Sequence, residues 1–518
     1  MNLFQRNNRT QVVTLAVLAV LFVLAIQGMS AEDWVITTLR GLSVGAITFL
    51  VAAGFSLIFG LMDVLNLAHG TLFMVGAYIG WTVFVRPDTF VDLLTPVCLV
   101  AAGLLLKPLG ERLFSRLPPG QTLSRLLPWG TLILAVGVLG ISLLRYPITA
   151  WDANVYEISP ITYAFQADQG PRLLPDPVTS AVPPLLLLAG LFLGGLLVSF
   201  SLAGLDLRQG RSGAANGPLP RRRLTAALIL ALLGAGVYFA NTPLTNFLFA
   251  LNTNWLFLLS VLAAVLSGAL LGGVMESSLI RPLYSRPIYQ LMLTFGLSFI
   301  GIEIVRAVWG RNGFTMPKPA LFNGSGEGCP ATSLAGWLEN QCSILVVLDG
   351  RVRTYNEVFI ILVGLVVLVA VWLLLQRSRL GMIIRAGVQD SAMVEALGIN
   401  VRRVFTLVFA LGVGLAALGG VLAAPSMGLS NGMGESLLLN VLIALAIGGL
   451  TSYPGAAAGS LIVGLLQQFI IKYGQLGIPL PFLSEPFKPT PPLVPASTVL
   501  LMVIILLVMP NGLFGKKE

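Results

Sequence analysis

Long apolar runs separated by short polar stretches repeat along the whole chain. Fourteen are legible, near residues 12–28, 35–61, 67–85, 93–106, 128–145, 182–204, 224–240, 255–275, 289–309, 357–375, 404–424, 437–450, 456–472 and 496–510. About 20 mostly apolar residues in helical form cross the hydrocarbon layer of a bilayer. The runs 93–106, 437–450 and 496–510 are short for that and read as tilted, broken or re-entrant pieces. An outer-membrane barrel would need alternating segments of about ten residues, and these runs are continuous. The pattern predicts an all-α, polytopic helical membrane protein of about 12–14 transmembrane segments.

Composition agrees. Of 518 residues, 56% are hydrophobic and 10% charged, against roughly 25% charged in a soluble domain. A water-soluble fold has no means of hiding so much apolar surface. A soluble enzyme, a fibrous protein and a disordered chain are excluded. Small residues recur at helical spacing: Gly41 and Gly45; Ala52, Ser56 and Gly60; Gly412, Ala416, Gly420 and Ala424. Such stripes let helix backbones touch. The one histidine, His69, leaves little room for a His-based metal or catalytic centre, so neither metal ligands nor catalytic residues are expected.

The basic residues set an orientation, because Lys and Arg gather in cytoplasmic loops. With Arg6 and Arg9 inside, the inner loops are 107–127, 205–223, 276–288, 376–403 and the tail 511–518, and with the N-terminus they hold 20 of the 31 Lys and Arg. The outer loop 146–181 carries Asp152, Glu157, Asp168 and Asp176 against Arg172. Both termini are expected in the cytoplasm, and the first run reads as a retained helix, since Gly28-Met29-Ser30-Ala31 is a poor cleavage site. In the outer segment 310–356, Cys329 and Cys342 are a candidate disulfide if that side is oxidising; separate thiols are the alternative. Cys98, within a run, reads as a small apolar filler.

Polar groups interrupt the apolar runs at Asp63, Asn66 and His69, inside Leu61–Gly70. Polar groups at membrane depth are costly unless buried in protein or facing water. Two readings stand: a broken-helix element beside a transport route, or a polar turn at the interface in which Asn66 or Asp63 caps the next helix. Glu303 and Arg306, at i and i+3, read as a structural ion pair, and Arg40 as an interfacial anchor.

The loop 376–403 carries its own signals. Asp390 or Ser391 can cap a short helix that Gly398 ends. Val388, Ala392 and Ala396, with Met393 and Leu397 beside them, make one apolar face on a cytoplasmic turn. Such a face wants a groove on a partner. No phosphate-binding loop, zinc-protease motif or nucleophile elbow is present. If the protein pumps, its energy arrives from elsewhere.

Four blocks together resemble the H-type permease subunit of branched-chain amino acid ABC importers. They are Gly41–Gly80 with Asn66-Leu67-Ala68-His69-Gly70; Glu276–Gly310 with Arg281-Pro282-Leu283-Tyr284-Ser285-Arg286-Pro287; Arg379–Asn400 with Glu395-Ala396-Leu397-Gly398-Ile399; and Gly448–Gly464. The resemblance covers about 30–87 and 254–512 and leaves 88–253 as an inserted region, read as a lipid-facing collar or, alternatively, as a docking site for another membrane protein. It divides the chain into an N-terminal core segment (1–87), the insertion (88–253) and a C-terminal core segment (254–518) that holds the loop 376–403.

The resemblance implies a passive gate in a bacterial inner membrane. It would pair with an M-type permease or a second copy, with two cytoplasmic ATPases that use ATP and Mg, and with an extracytoplasmic binding protein; this chain would hold no cofactor itself. Glu395, Ala396, Leu397, Gly398 and Ile399, with Asp390 ahead of them, would form the ATPase-coupling helix, flanked by Arg385 and Arg402. Asp63, Asn66 and His69 would line or gate the pathway. Importers of urea or short-chain amides resemble this sequence closely. A stand-alone secondary transporter is the rival of another class, and the lack of a series of intramembrane acids opposes it.

Overall fold

The computed structural model describes residues 2–115, 122–148, 182–208, 221–389, 391–478 and 485–515, without the side chains of 2–10, 122–125, 207–208, 388–389 and 391–392. Four acids of the predicted outer loop, Asp152, Glu157, Asp168 and Asp176, lie outside the described residues, as do Arg172, Arg211 and the tail lysines. In chain order the helices are α1 (Asn2–Gln27), α2 (Ala31–Met62), α3 (His69–Val85), α4 (Pro87–Leu105), α5 (Lys107–Ser115) and α6 (Thr122–Arg145). Next come α7 (Pro184–Arg208), α8 (Arg221–Phe239), α9 (Asn241–Ala250), α10 (Thr253–Met275), α11 (Pro287–Trp309) and α12 (Leu334–Asn340). A hairpin of β1 (Ile344–Val347) and β2 (Gly350–Arg353) precedes α13 (Ile360–Arg377), α14 (Arg379–Gln389), α15 (Ser391–Ala396), α16 (Val401–Met427), α17 (Met433–Gly448), α18 (Tyr453–Leu476) and α19 (Leu493–Val508).

Among the described residues, ten helices are long and apolar enough to cross a membrane, and four shorter apolar helices accompany them. Each overlaps one of the fourteen predicted runs. The run 93–106 is a correction, because it belongs to a full helix that starts at Pro87. Arg86 and Asp88 obscure that start in the sequence, yet their 2.8 Å ion pair is buried, so the charges cost less than a hydropathy reading supposes. The runs at 437–450 and 496–510 are short helices of 16 residues, α17 and α19.

The described chain divides into two compact units, one formed by residues up to Phe84 and from Asn252 onward, the other by residues between Val85 and Leu251. In the first, α2 and α16 are the most enclosed helices. The glycine stripes are the seams: Gly45 lies on Ser460 and Leu461 of α18, and Gly54 lies against Gly412 of α16. A Cβ at Gly54 would stand 2.2 Å from the Gly412 carbonyl oxygen, so only glycine permits that approach. Loops predicted on opposite sides gather at opposite ends of this unit. At one end Lys472 pairs with Asp33 (2.5 Å), Arg40 pairs with buried Glu357 (3.0 Å), and Phe314 and Leu429 exchange backbone hydrogen bonds. At the other, Gly60 meets Thr451, and Leu513 N–H donates to the Ile447 carbonyl (2.8 Å).

In the second unit, α4 packs against α7 and α8, and α7 against α6. Thr95 donates to the Gly234 carbonyl (3.0 Å), Asn241 to Asp92 (2.7 Å), and Ser201 to the Pro128 carbonyl (2.8 Å). These bonds satisfy polar groups of this unit's apolar helices within protein.

Candidate functional site

Helix α2 ends at Met62, and Asp63 turns the chain in the left-handed region (φ 52°), its N–H donating to the Phe59 carbonyl (2.9 Å). The next five residues are not helical, and they return alongside α2 until His69 Nε2 lies 3.1 Å from the Val51 carbonyl, about three helical turns back from the end of α2. Helix α3 starts there and has only 17 residues. Asn66 caps it: its side-chain oxygen accepts from the Ala68 N–H and its carbonyl from the His69 N–H, both at 3.1 Å. Thr294 of α11 accepts from the Leu67 N–H (3.2 Å), and Thr71 meets Ser298 at 2.6 Å.

Asn66 is a helix cap, and it also belongs to a broken helix buried in protein. Asp63 stands apart, exposed at the end of α2. With Nε2 donating to Val51, His69 presents Nδ1 as an acceptor. Neither that atom nor Asn66 Nδ2 has a hydrogen-bond partner among the described residues, although both residues are fully buried. Helix α17 is also short, and the backbone of Gly434 in its first turn rests on Gly70. Two short helices, of 17 and 16 residues, thus meet by their N-terminal turns.

A cluster above α3 was not legible as a unit in the sequence. Tyr78 donates to Asn431 (3.1 Å), Trp81 donates to the Thr315 carbonyl (3.1 Å) and stacks on Phe314 (5.0 Å), and Trp309 donates to Thr82 (3.0 Å). Tyr78 and Trp81 have no exposed surface, so this end of α3 is sealed.

At the opposite end lies the loop between α13 and α16. Glu395, Ala396, Leu397 and Gly398 are exposed and Ile399 half-buried. Gly398 takes φ 81° and its N–H donates to the Glu395 carbonyl (2.9 Å), which ends α15 as its sequence indicates. Asn400 then caps α16, accepting from the Arg403 N–H (3.1 Å). Arg402 is exposed, and Arg385 donates to the Leu375 carbonyl. Asp390 lies outside the described residues, as do the side chains of Val388 and Ala392. Met393 and Leu397 face outward while Val394 is buried. Ile384 of α14 is buried in a cluster with Leu57 of α2 and Val408 of α16, so the loop is keyed into the two central helices.

Beside it, the block that begins at Glu276 forms a clamp. The carboxylate of Glu276, wholly buried, receives Arg281 Nε (3.1 Å) and Nη2 (2.7 Å), Tyr284 OH (2.5 Å) and Thr406 Oγ1 (2.6 Å). Burial first, and then the Glu276 carboxylate, hold the Tyr284 phenol above its usual range, so it donates. The chain makes a π-helical turn at Glu276–Ile280 to deliver these groups. Cys329 and Cys342 are joined by a disulfide (Cα–Cα 5.5 Å) beside the β-hairpin, and Glu303–Arg306 form an exposed pair at 2.5 Å. Among the described residues no three His, Cys, Asp or Glu cluster as metal ligands would.

The family model described as branched-chain amino acid transport system, permease component, matches residues 37–117 and 224–509. The chain belongs to this permease family. The permease is 27% identical, over 271 residues, to the high-affinity branched-chain amino acid transport system permease protein LivH of Salmonella typhimurium, covering 52% of this chain and 78% of that one. It is 30% identical over 172 residues to the corresponding protein BraD of Pseudomonas aeruginosa (33% of this chain, 51% of that one). It is 28% identical over 194 residues to the fructose import permease protein FruF of Bifidobacterium longum (34% and 50%). No solved structure matches it. The family match runs through 88–117 and 224–253, which the sequence reading assigned to the insertion, and leaves 118–223 outside it.

Proposed function

We propose that this permease is the pathway-forming subunit of an ATP-driven importer of branched-chain amino acids. It works in a bacterial inner membrane with both termini in the cytoplasm. An M-type permease or a second copy completes the pathway, two ATPases dock on the cytoplasmic face, and a binding protein delivers cargo to the other. ATP and Mg belong to the ATPases. The observation that carries this reading is the loop of α14 and α15, which presents Glu395–Gly398 outward while Ile384 is locked between Leu57 and Val408. A push on the exposed turn is delivered to α2, whose Val51 holds His69. Packed helices shift as rigid bodies, so the short helices α3 and α17 change their contact and the pathway alternates.

The disulfide supports the orientation, because such bonds persist in oxidising compartments and the Cys329–Cys342 segment lies opposite the basic loop 376–403. The likeness to LivH and BraD favours a branched-chain amino acid, and the likeness to FruF favours a sugar as the second reading. Purification of the permease with its co-migrating partners tests this directly. Leucine-loaded binding protein is expected to raise ATP hydrolysis by the complex; stimulation by fructose and not by leucine selects the second reading, and absence of any ATPase rejects both.

A further inference from the structure

The Glu276 clamp is a buried charged group that the mechanism above does not use. Its four donor atoms come from two places: the turn Arg281–Tyr284, which follows Glu276 directly, and the distant Thr406. Thr406 lies in the second turn of α16, directly after the loop's exit at Asn400. On the other side, Ile280 and Tyr284 pack in one cluster with Val64 and Ala68 of the re-entrant segment. The clamp is therefore the bridge from the loop's exit to the residues that flank Asn66. A carboxylate buried this deeply keeps its partners, because losing one leaves a desolvated charge short of a hydrogen bond. The start of α16 thus carries the Glu276 turn with it when it moves.

We propose that Glu276 is a positioning residue for transport, tying Thr406 at the exit of the cytoplasmic loop to the Val64–Ala68 segment through Arg281 and Tyr284, so that the loop's displacement moves the broken helix. The clamp is a second transmission route beside Ile384, and it acts on α3 from the side of α11 where Ile384 acts through α2. This inference rests on the importer reading.

The test uses the whole complex in vesicles, with leucine, its binding protein and ATP, and measures leucine taken up per ATP hydrolysed. Thr406→Val keeps the shape and removes the hydroxyl; Thr406→Ser restores it. The expected result is a fall of about tenfold in uptake per ATP for Thr406→Val, the scale of one lost hydrogen bond to a charged group, with ATP hydrolysis retained and with Thr406→Ser close to the unaltered complex. Unchanged uptake per ATP in Thr406→Val overturns the proposal, and so does an equal loss in Thr406→Ser. If Thr406→Val does not assemble, Tyr284→Phe is read by the same criteria, since it removes one donor and keeps the ring: a fall in uptake per ATP supports the proposal and unchanged coupling overturns it. An unaltered complex that shows no ATP-driven uptake overturns the importer reading and this inference with it, an outcome distinct from the variants' behaviour.

Discussion

The imidazole of His69 is bonded through Nε2 to the carbonyl of Val51 at 3.1 Å, although the two lie 18 positions apart and α2 continues for three turns beyond Val51. This bond, with the Leu67 N–H donating to Thr294 and Gly70 resting on Gly434, holds the depth at which α3 begins. It makes the preceding segment a return into the protein and not a polar turn level with the end of α2. His69→Phe keeps a ring against Phe55 and removes the bond. The purified permease is expected to lose about 1 kcal/mol of stability, the net value of a buried neutral hydrogen bond, read as a lowered midpoint in thermal unfolding, with transport reduced more strongly than stability.

Helix contacts through glycine give a paired prediction. Gly54→Val places side-chain atoms where the Gly412 backbone stands, so the helices must separate. Overpacking of this kind costs about 1–3 kcal/mol or more, and folded yield in detergent is expected to drop sharply. Gly130→Ala in α6 meets nothing within 4 Å and is expected to leave yield unchanged.

The exposed turn Glu395–Gly398 is expected to matter for coupling and not for folding. Glu395→Lys reverses an exposed charge, and Gly398→Leu forces a side chain into φ 81°, a strain of roughly 1 kcal/mol or more. Both variants are expected to reach the membrane at normal levels and to lose most uptake. Normal uptake in both removes this loop from the energy route.

The Cys329–Cys342 bridge is checked by gel mobility. Cys329→Ser is expected to migrate differently from the unaltered chain without reductant and identically with it; free thiols on both cysteines of the unaltered chain would contradict the bridge.

Much of the architecture was legible because a run of 20 apolar residues is an unambiguous signal. The small-residue stripes were legible too: Gly41 and Gly45, and Gly412, Ala416, Gly420 and Ala424, recur at the four-residue spacing that close helix contact uses. The start of α4 was hidden because Arg86 and Asp88 neutralise each other only in three dimensions. The depth of His69 was hidden because a polar interruption reads alike at the surface and in the interior, and the bond to Val51 and the burial of the residue separate the two. On the turn before α16, the apolar face of Val388, Ala392 and Ala396 with Met393 and Leu397 reads as outward, and Met393 and Leu397 are exposed; the neighbouring Val394 is buried, a distinction that a six-residue helix is too short to encode. Glu276 and Thr406 lie 130 residues apart, and no local pattern announces their contact.

The central claim is that this permease moves cargo only when driven from the cytoplasmic face. The most direct measurement is leucine accumulation in sealed vesicles that hold the permease pair, with and without its ATPases, under ATP and loaded binding protein. The account predicts accumulation against a gradient only when the ATPases are present; accumulation by the permease pair alone would contradict it.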